Sequence, residues 1–147
     1  MSGARCEHLG NTRTLRVGTD LCSVSEVNAS VEMFGDRYLK RIYSEQEIAY
    51  ALSGPAVQGE RLAGRFAAKE ATLKALRPST SRPQWRDIEV VRHADGWCEL
   101  SLTGSAADLA RLRGVRSLAL SLSHDSGVAT AVVVAECSRG KRACDNE

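Results

Sequence analysis

Residues 61–76, RLAGRFAAKEATLKAL, constrain this chain more than any other segment, because they place charge where a helix would otherwise be dry. At helical pitch Leu62, Phe66, Leu73 and Leu76 share one apolar arc, and Ala63, Ala67, Ala71 and Ala75 line much of the remaining circumference. Such a helix leaves little face for water. Lys69 nevertheless falls inside the leucine and phenylalanine arc, and Glu70 and Lys74 fall among the alanines. A charge surrounded by apolar atoms is costly unless it is paired or coordinated. The segment therefore predicts a helix that is both core and the wall of a candidate active site.

The rest of the chain must supply what those charges meet. At 147 residues it is long enough for one domain with a real core, and 43% hydrophobic with 26% charged residues places it among globular proteins. The net charge of +2 is small and its basic residues are spread out, so no nucleic-acid stripe is expected. Aromatic content of 5% also argues against a stacking platform for single strands. The five cysteines (Cys6, Cys22, Cys98, Cys137, Cys144) are odd in number and lack C-x-x-C or metal-ligand spacing, which points to free thiols in a reducing cytosol. Residues 1–14 hold no apolar signal core, and no apolar run reaches the roughly 20 residues of a membrane span. A cytoplasmic protein with no membrane association is expected.

Polar, aperiodic residues at 1–14 and 137–147 predict flexible tails around a single domain over 15–136. Leu15, Val17, Thr19 and Leu21 alternate against Arg16, Gly18 and Asp20, predicting a first strand. A helical stretch follows through Val24, Val27, Val31 and Phe34. Ser44 with Glu47 three residues later has the pattern of a capping box, opening a short helix to about Leu52. Ser53-Gly54-Pro55 and Gln58-Gly59 predict a loop, and the charged helix should stop before Pro78. Residues 87–92 and 97–102 predict a hairpin turning at His93-Ala94-Asp95-Gly96, and Ser105 a capped helix to Leu112. Strands over 115–123 and 127–135 complete the order, the latter apolar enough to be central or covered on both faces. The sum is a compact α+β domain, its mainly antiparallel sheet packed on a long helix.

Taken singly, the candidate functional residues have ordinary readings. Asp20 ends a strand, where an aspartate commonly serves a turn or cap. Glu70 and Lys74 are spaced as a surface helix pair worth about 0.3–0.5 kcal/mol, although the apolar wrapping of their helix weakens that reading. His124, in SHDSG, follows a strand as a solvated loop residue would, yet strand ends are also where ligands collect.

Together they form a known constellation. The segments VGTDL, RYLKRIYSEQEI, LAGRFAAKEATLKAL, DIEVVRHADG and SLSHDSGVATAVVVAE, in that order across 15–136, resemble the holo-acyl-carrier-protein synthases, small 4′-phosphopantetheinyl transferases of bacterial type. The resemblance implies Mg²⁺ held by Asp20 and Glu70, hard oxygen donors that suit this ion. It implies coenzyme A as substrate and a carrier-protein serine that attacks the phosphorus bearing the pantetheine arm, expelling adenosine 3′,5′-bisphosphate. Lys74 would stabilise the leaving charge, Arg65 and Lys69 would contact other coenzyme A phosphates, and His124 would help hold the 3′-phosphate or its neighbours. Glu70 would be the general base, directly or through water. A homotrimer with active sites at subunit boundaries is implied, serving fatty-acid, polyketide or peptide synthesis. The competing reading is a non-catalytic scaffold that binds coenzyme A or a carrier.

Three positions depart from the family pattern. Glu26 stands where a basic residue would dock an acidic carrier, which implies a specialised carrier or docking through Arg37, Lys40 and Arg41. Gly96-Trp97-Cys98 replaces the usual Gly-Lys-Pro, and Thr72 replaces a commoner aromatic. Asp20, Glu70 and Lys74 are untouched by these changes.

Overall fold

The computed structural model describes residues 13–138. In chain order they form β1 (Thr14–Ser23), α1 (Val24–Phe34), α2 (Asp36–Ile42), α3 (Glu45–Leu52), α4 (Gln58–Leu76), β2 (Ile88–Arg92), β3 (Cys98–Leu102), α5 (Gly104–Leu112), β4 (Val115–Asp125) and β5 (Val128–Cys137). All strand pairs are antiparallel: a three-stranded sheet ordered β1-β5-β4, and the β2-β3 hairpin. The expected α+β class holds. Regular structure among the described residues runs from Thr14 to Cys137, and most of both predicted tails lies outside the described residues.

Helix α4 lies across the three-stranded sheet, and small residues set how closely it approaches. Gly18 sits on the inward face of β1, where an added Cβ would come 1.9 Å from the Ala71 carbonyl oxygen. Ala129, Ala131 and Ala135 of β5 and Ala63, Ala67, Ala71 and Ala75 of α4 are all fully buried in the same core. Alanine and glycine on both surfaces let backbones pack at a distance that leucines would forbid.

The apolar alternation in β1 consequently faces the other way. Leu15, Val17 and Leu21 are 65%, 61% and 71% exposed, while Gly18 and Cys22 are buried. Val128 and Val132 extend this outward apolar face onto β5, which is central as expected but covered on one face only.

Local signals account for most element ends. Ser44 and Glu47 form the expected capping box at α3. Ser23 caps α1 by accepting from the Glu26 amide. Helix α4 stops at Arg77, which adopts a left-handed conformation (φ 52°, ψ 65°) just before Pro78. Gly96 takes φ 92° in the hairpin turn, where Trp97 stacks on His93 with ring centroids 3.7 Å apart.

Three local expectations change. Pro55–Val57 forms a 3-10 turn and α4 starts at Gln58, three residues before the expected position. Helix α2 was not anticipated; Gly35, at φ 53°, breaks it from α1 and hides the continuation of the pattern. Ser105 does not cap α5, because Thr103 holds the N-cap position. Its hydroxyl and amide instead donate to the Asp87 carboxylate, tying α5 to the residue before β2.

Candidate active site

Alternation along β1 places Asp20 on the inward face near the strand's end, and Thr130 of β5 donates to its carbonyl oxygen at 3.1 Å. Opposite, the last two turns of α4 present Glu70 and Lys74. Lys74 does not pair with its helical neighbour. Its Nζ reaches across to Asp20 Oδ1 at 3.0 Å and donates to the Thr19 carbonyl at 2.8 Å. Glu70 takes part in none of the ion pairs among the described residues. Partial burial, and then the negative charge of Asp20, push the Glu70 carboxyl above its usual range, with Arg82 and Lys74 opposing. The same field reaches Cys22. Burial first, then Asp20, Glu26 and Glu70, raise its thiol from 9.0 to about 11.

Two hard oxygen donors in a locally negative field form a donor set that fits Mg²⁺, which commonly takes only one or two protein carboxylates. Among the described residues no third histidine, cysteine or carboxylate joins them. Beside Glu70 and Lys74 lies a cavity of about 420 Å³, whose far wall is the loop Arg77–Arg82. Arg77, Ser79, Thr80, Ser81 and Arg82 thus line the space next to Glu70 and Lys74. None of these loop residues was singled out from sequence, since nothing in RPSTSRP forecasts where the chain turns after α4.

Lys69 belongs elsewhere, and its burial rules out the expected contact with a coenzyme A phosphate. Its side chain and that of Glu47 are both 0% exposed, and Nζ lies 2.9 Å from Glu47 Oε2. Nζ also donates to the carbonyls of Trp85 (3.1 Å) and Ile88. All three ammonium protons are therefore committed, and no path to solvent remains for a phosphate. Glu47 is equally occupied, accepting from the amides of Ser44 and Val90, each at 2.8 Å. This pair fastens α3, α4 and the start of β2 around one buried contact. Burial lowers the proton affinity of Lys69, and Glu47 counters it.

Arg65 and His124 meet at a second cavity, of about 300 Å³, that also exposes Arg61, Arg92 and Tyr50. Arg65 is only 5% exposed, and its Nε has no hydrogen-bond partner among the described residues. Its Nη1 donates to the Arg61 carbonyl at 3.3 Å, while burial weakens its hold on its proton. His124 lies within β4 rather than in the turn, which falls at Ser126-Gly127; it is 62% exposed, and its Nδ1 is 3.6 Å from Glu60 Oε2. Arg61 was not singled out from sequence, although its spacing of four from Arg65 on α4 puts both on one helix edge. Arg92 and Tyr50 arrive from other elements, and no sequence signal joins them.

The fold thus brings Asp20 to Lys74, with Glu70 and Lys74 on one cavity, and gathers Arg65 and His124 at another. A model of the 4′-phosphopantetheinyl transferase superfamily matches residues 16–133. The chain belongs to that superfamily. It is 40% identical to the holo-acyl-carrier-protein synthase of Gloeobacter violaceus over 124 residues, covering 84% of this chain and 94% of the relative. The Solibacter usitatus enzyme of that name is 41% identical over 120 residues, covering 81% and 95%. Among solved structures, the ACPS–CoA complex of Chronobacterium ammoniagenes superposes with a TM-score of 0.76 at 32% identity, covering 86% of this chain and 99% of that one. The Helicobacter pylori holo-acyl-carrier-protein synthase in complex with coenzyme A gives 0.70 at 30% identity, covering 81% and 98%.

Positions at which this transferase-family chain departs from the pattern can now be placed. Glu26 is exposed in the first turn of α1. Arg37 and Arg41 of α2 line an open groove together with Phe34, Tyr38, Phe66 and Trp85. Lys40 does not line it and instead lies 4.0 Å from Asp36. Thr72 is fully buried and donates to the Ala68 carbonyl at 2.7 Å, so the exchanged aromatic position is part of the core. Trp97 caps the β2-β3 turn through its stack on His93.

Proposed function

We propose that this protein transfers 4′-phosphopantetheine from coenzyme A to a serine of an acyl carrier protein. The observation that carries the reading is the meeting of Asp20, Glu70 and Lys74 across the β1–α4 contact, beside a cavity rimmed by Arg77 and Arg82. The names of the relatives and the coenzyme A bound in their solved structures support the donor and acceptor.

In the reaction the serine oxygen forms a bond to the phosphorus bearing pantetheine, and the bond from that phosphorus to the bridging pyrophosphate oxygen breaks. Adenosine 3′,5′-bisphosphate leaves. Such transfers depend on positioning and charge neutralisation. Asp20 and Glu70 would hold Mg²⁺, which when bound would neutralise pyrophosphate oxygens. Lys74, anchored by Asp20 and the Thr19 carbonyl, carries its charge to the leaving phosphate. Glu70 has the raised proton affinity suited to receiving the serine proton. Arg65 and His124 hold the nucleotide end from the second cavity.

The acceptor docks on the groove lined by Arg37 and Arg41, whose charge suits an acidic helix and whose aromatic residues suit its apolar side. Glu26, acidic where a basic docking residue is expected, favours a specialised carrier of fatty-acid, polyketide or peptide synthesis. The outward apolar face of β1 and β5 supports a homotrimer with active sites at subunit boundaries, since an apolar patch of this kind marks an interface. No helix of the described residues is long and apolar enough to cross a membrane, in keeping with a cytoplasmic enzyme.

Mass spectrometry of an apo carrier after incubation with coenzyme A and Mg²⁺ tests the function. The expected result is one added phosphopantetheine on the carrier serine. No mass gain on any of several carriers, the host's own included, would establish the scaffold instead.

A further inference from the structure

The second cavity holds more positive charge than its surroundings answer. Arg61, Arg65 and Arg92 come from two elements, and none of them takes part in an ion pair among the described residues. Among the described residues Glu60 is the one carboxylate lining this cavity, and it faces His124. Three guanidinium groups in one hollow should repel each other apart. They are kept together by a single ring: the guanidinium carbons of Arg61, Arg65 and Arg92 lie 4.1, 4.3 and 5.6 Å from the centroid of Tyr50. The Tyr50 carbonyl also accepts from Arg61 Nη1 at 2.6 Å. Gly64, on the cavity wall, would meet nothing within 4 Å if it carried a Cβ, so the hollow is open in front of the charges. Arg65 Nε, buried and without a partner among the described residues, is a donor awaiting an acceptor.

We propose that Tyr50 is a positioning residue that gathers Arg61, Arg65 and Arg92 into a cradle for the 3′-phosphate of coenzyme A. The inference rests on the transferase reading above and adds Tyr50, Arg61 and Arg92 to the Arg65 and His124 expected there. Coenzyme A carries a pyrophosphate and one further phosphate, the ribose 3′-monoester. With the pyrophosphate engaged beside Asp20, Glu70 and Lys74, the monoester is the dianion left for a separate cationic hollow. The face of an aromatic ring attracts guanidinium groups through its quadrupole without neutralising them, so they stay available to an anion. A carboxylate in place of Tyr50 would gather the same arginines and then compete with the ligand.

The test compares coenzyme A with 3′-dephospho-coenzyme A as donors for wild type, Tyr50→Phe and Tyr50→Leu. Tyr50→Leu is expected to raise KM for coenzyme A about tenfold, with kcat within about twofold and the dephospho donor unaffected. Tyr50→Phe, which keeps the ring, should match wild type for both donors. An equal rise in KM for both donors, or no rise for either, would overturn the inference. Should Tyr50→Leu not fold, NMR of the wild type decides. Tyr50 ring resonances should shift with adenosine 3′,5′-bisphosphate and not with adenosine 5′-phosphate, and equal shifts would overturn the assignment. A wild type inactive in transfer that still prefers the bisphosphate would defeat the transferase reading and leave the role of Tyr50 standing.

Discussion

Replacing Lys69 by methionine separates a structural lysine from a phosphate-binding one. Methionine keeps the length and apolar stem of the side chain and removes the ammonium. Glu47 would then remain fully buried, its charge answered only by the amides of Ser44 and Val90. Removing one member of a buried ion pair costs about 3–5 kcal/mol, because the other charge stays behind uncompensated. The carbonyls of Trp85 and Ile88 lose a donor as well, which favours the upper part of that range. For a chain of this size each kcal/mol shifts the melting midpoint by about 2–4 °C, so Lys69→Met should melt roughly 10–15 °C lower. Adding Glu47→Gln removes the stranded charge, so the double variant should be more stable than the sum of the singles predicts, by on the order of 1–3 kcal/mol. Calorimetry or urea unfolding reads the stability. Steady-state transfer, measured well below the variant's midpoint, should give a KM for coenzyme A within about twofold of wild type. A Lys69→Met variant that melts with wild type and binds coenzyme A at least tenfold more weakly would refute the reasoning and return Lys69 to the phosphates.

Gly18→Ala should destabilise by about 3 kcal/mol or more, since its Cβ would meet the Ala71 backbone at 1.9 Å; an unchanged urea midpoint would show that the sheet and α4 separate easily. Glu70→Gln should abolish transfer yet stabilise the metal-free protein. Its folded-state carboxyl holds its proton above the usual 4.5, so wild type loses stability relative to the variant as pH rises through and above that value, while the two coincide below it. Melting scans in chelator from acid to neutral pH check the sign, and a gap that closes with rising pH contradicts it. Glu26→Arg should raise kcat/KM on an acidic fatty-acid carrier roughly tenfold at low salt, with the gain fading as salt is added; no gain would show that α1 does not steer the carrier.

Much of the fold was readable residue by residue. Helix α4, the α3 capping box, the β2-β3 hairpin and the central β5 follow from short-range rules, because caps, turns and periodicity act within a few residues. The orientation of β1 did not follow. Its alternation of Leu15, Val17 and Leu21 against Gly18 and Asp20 is the same whichever face is buried. Only the close approach of α4, which Gly18 permits and a leucine would block, turns the larger residues outward.

The candidate site divides along the same line. That α4 carries charges needing partners was evident in RLAGRFAAKEATLKAL itself, from the cost of isolated charge among apolar residues, and the family was legible once VGTDL upstream and SLSHDSG downstream were added to it. Which partner each charge found was decided only when distant segments came together. Lys69 and Glu70 are neighbours in sequence, but one turns to a buried glutamate of α3 and the other to the Asp20 side and an open cavity. Tyr50, Arg61, Arg65 and Arg92 meet for the same reason. Local rules fix the direction in which a side chain leaves its helix or strand, whereas the packing of one element on another fixes what waits there.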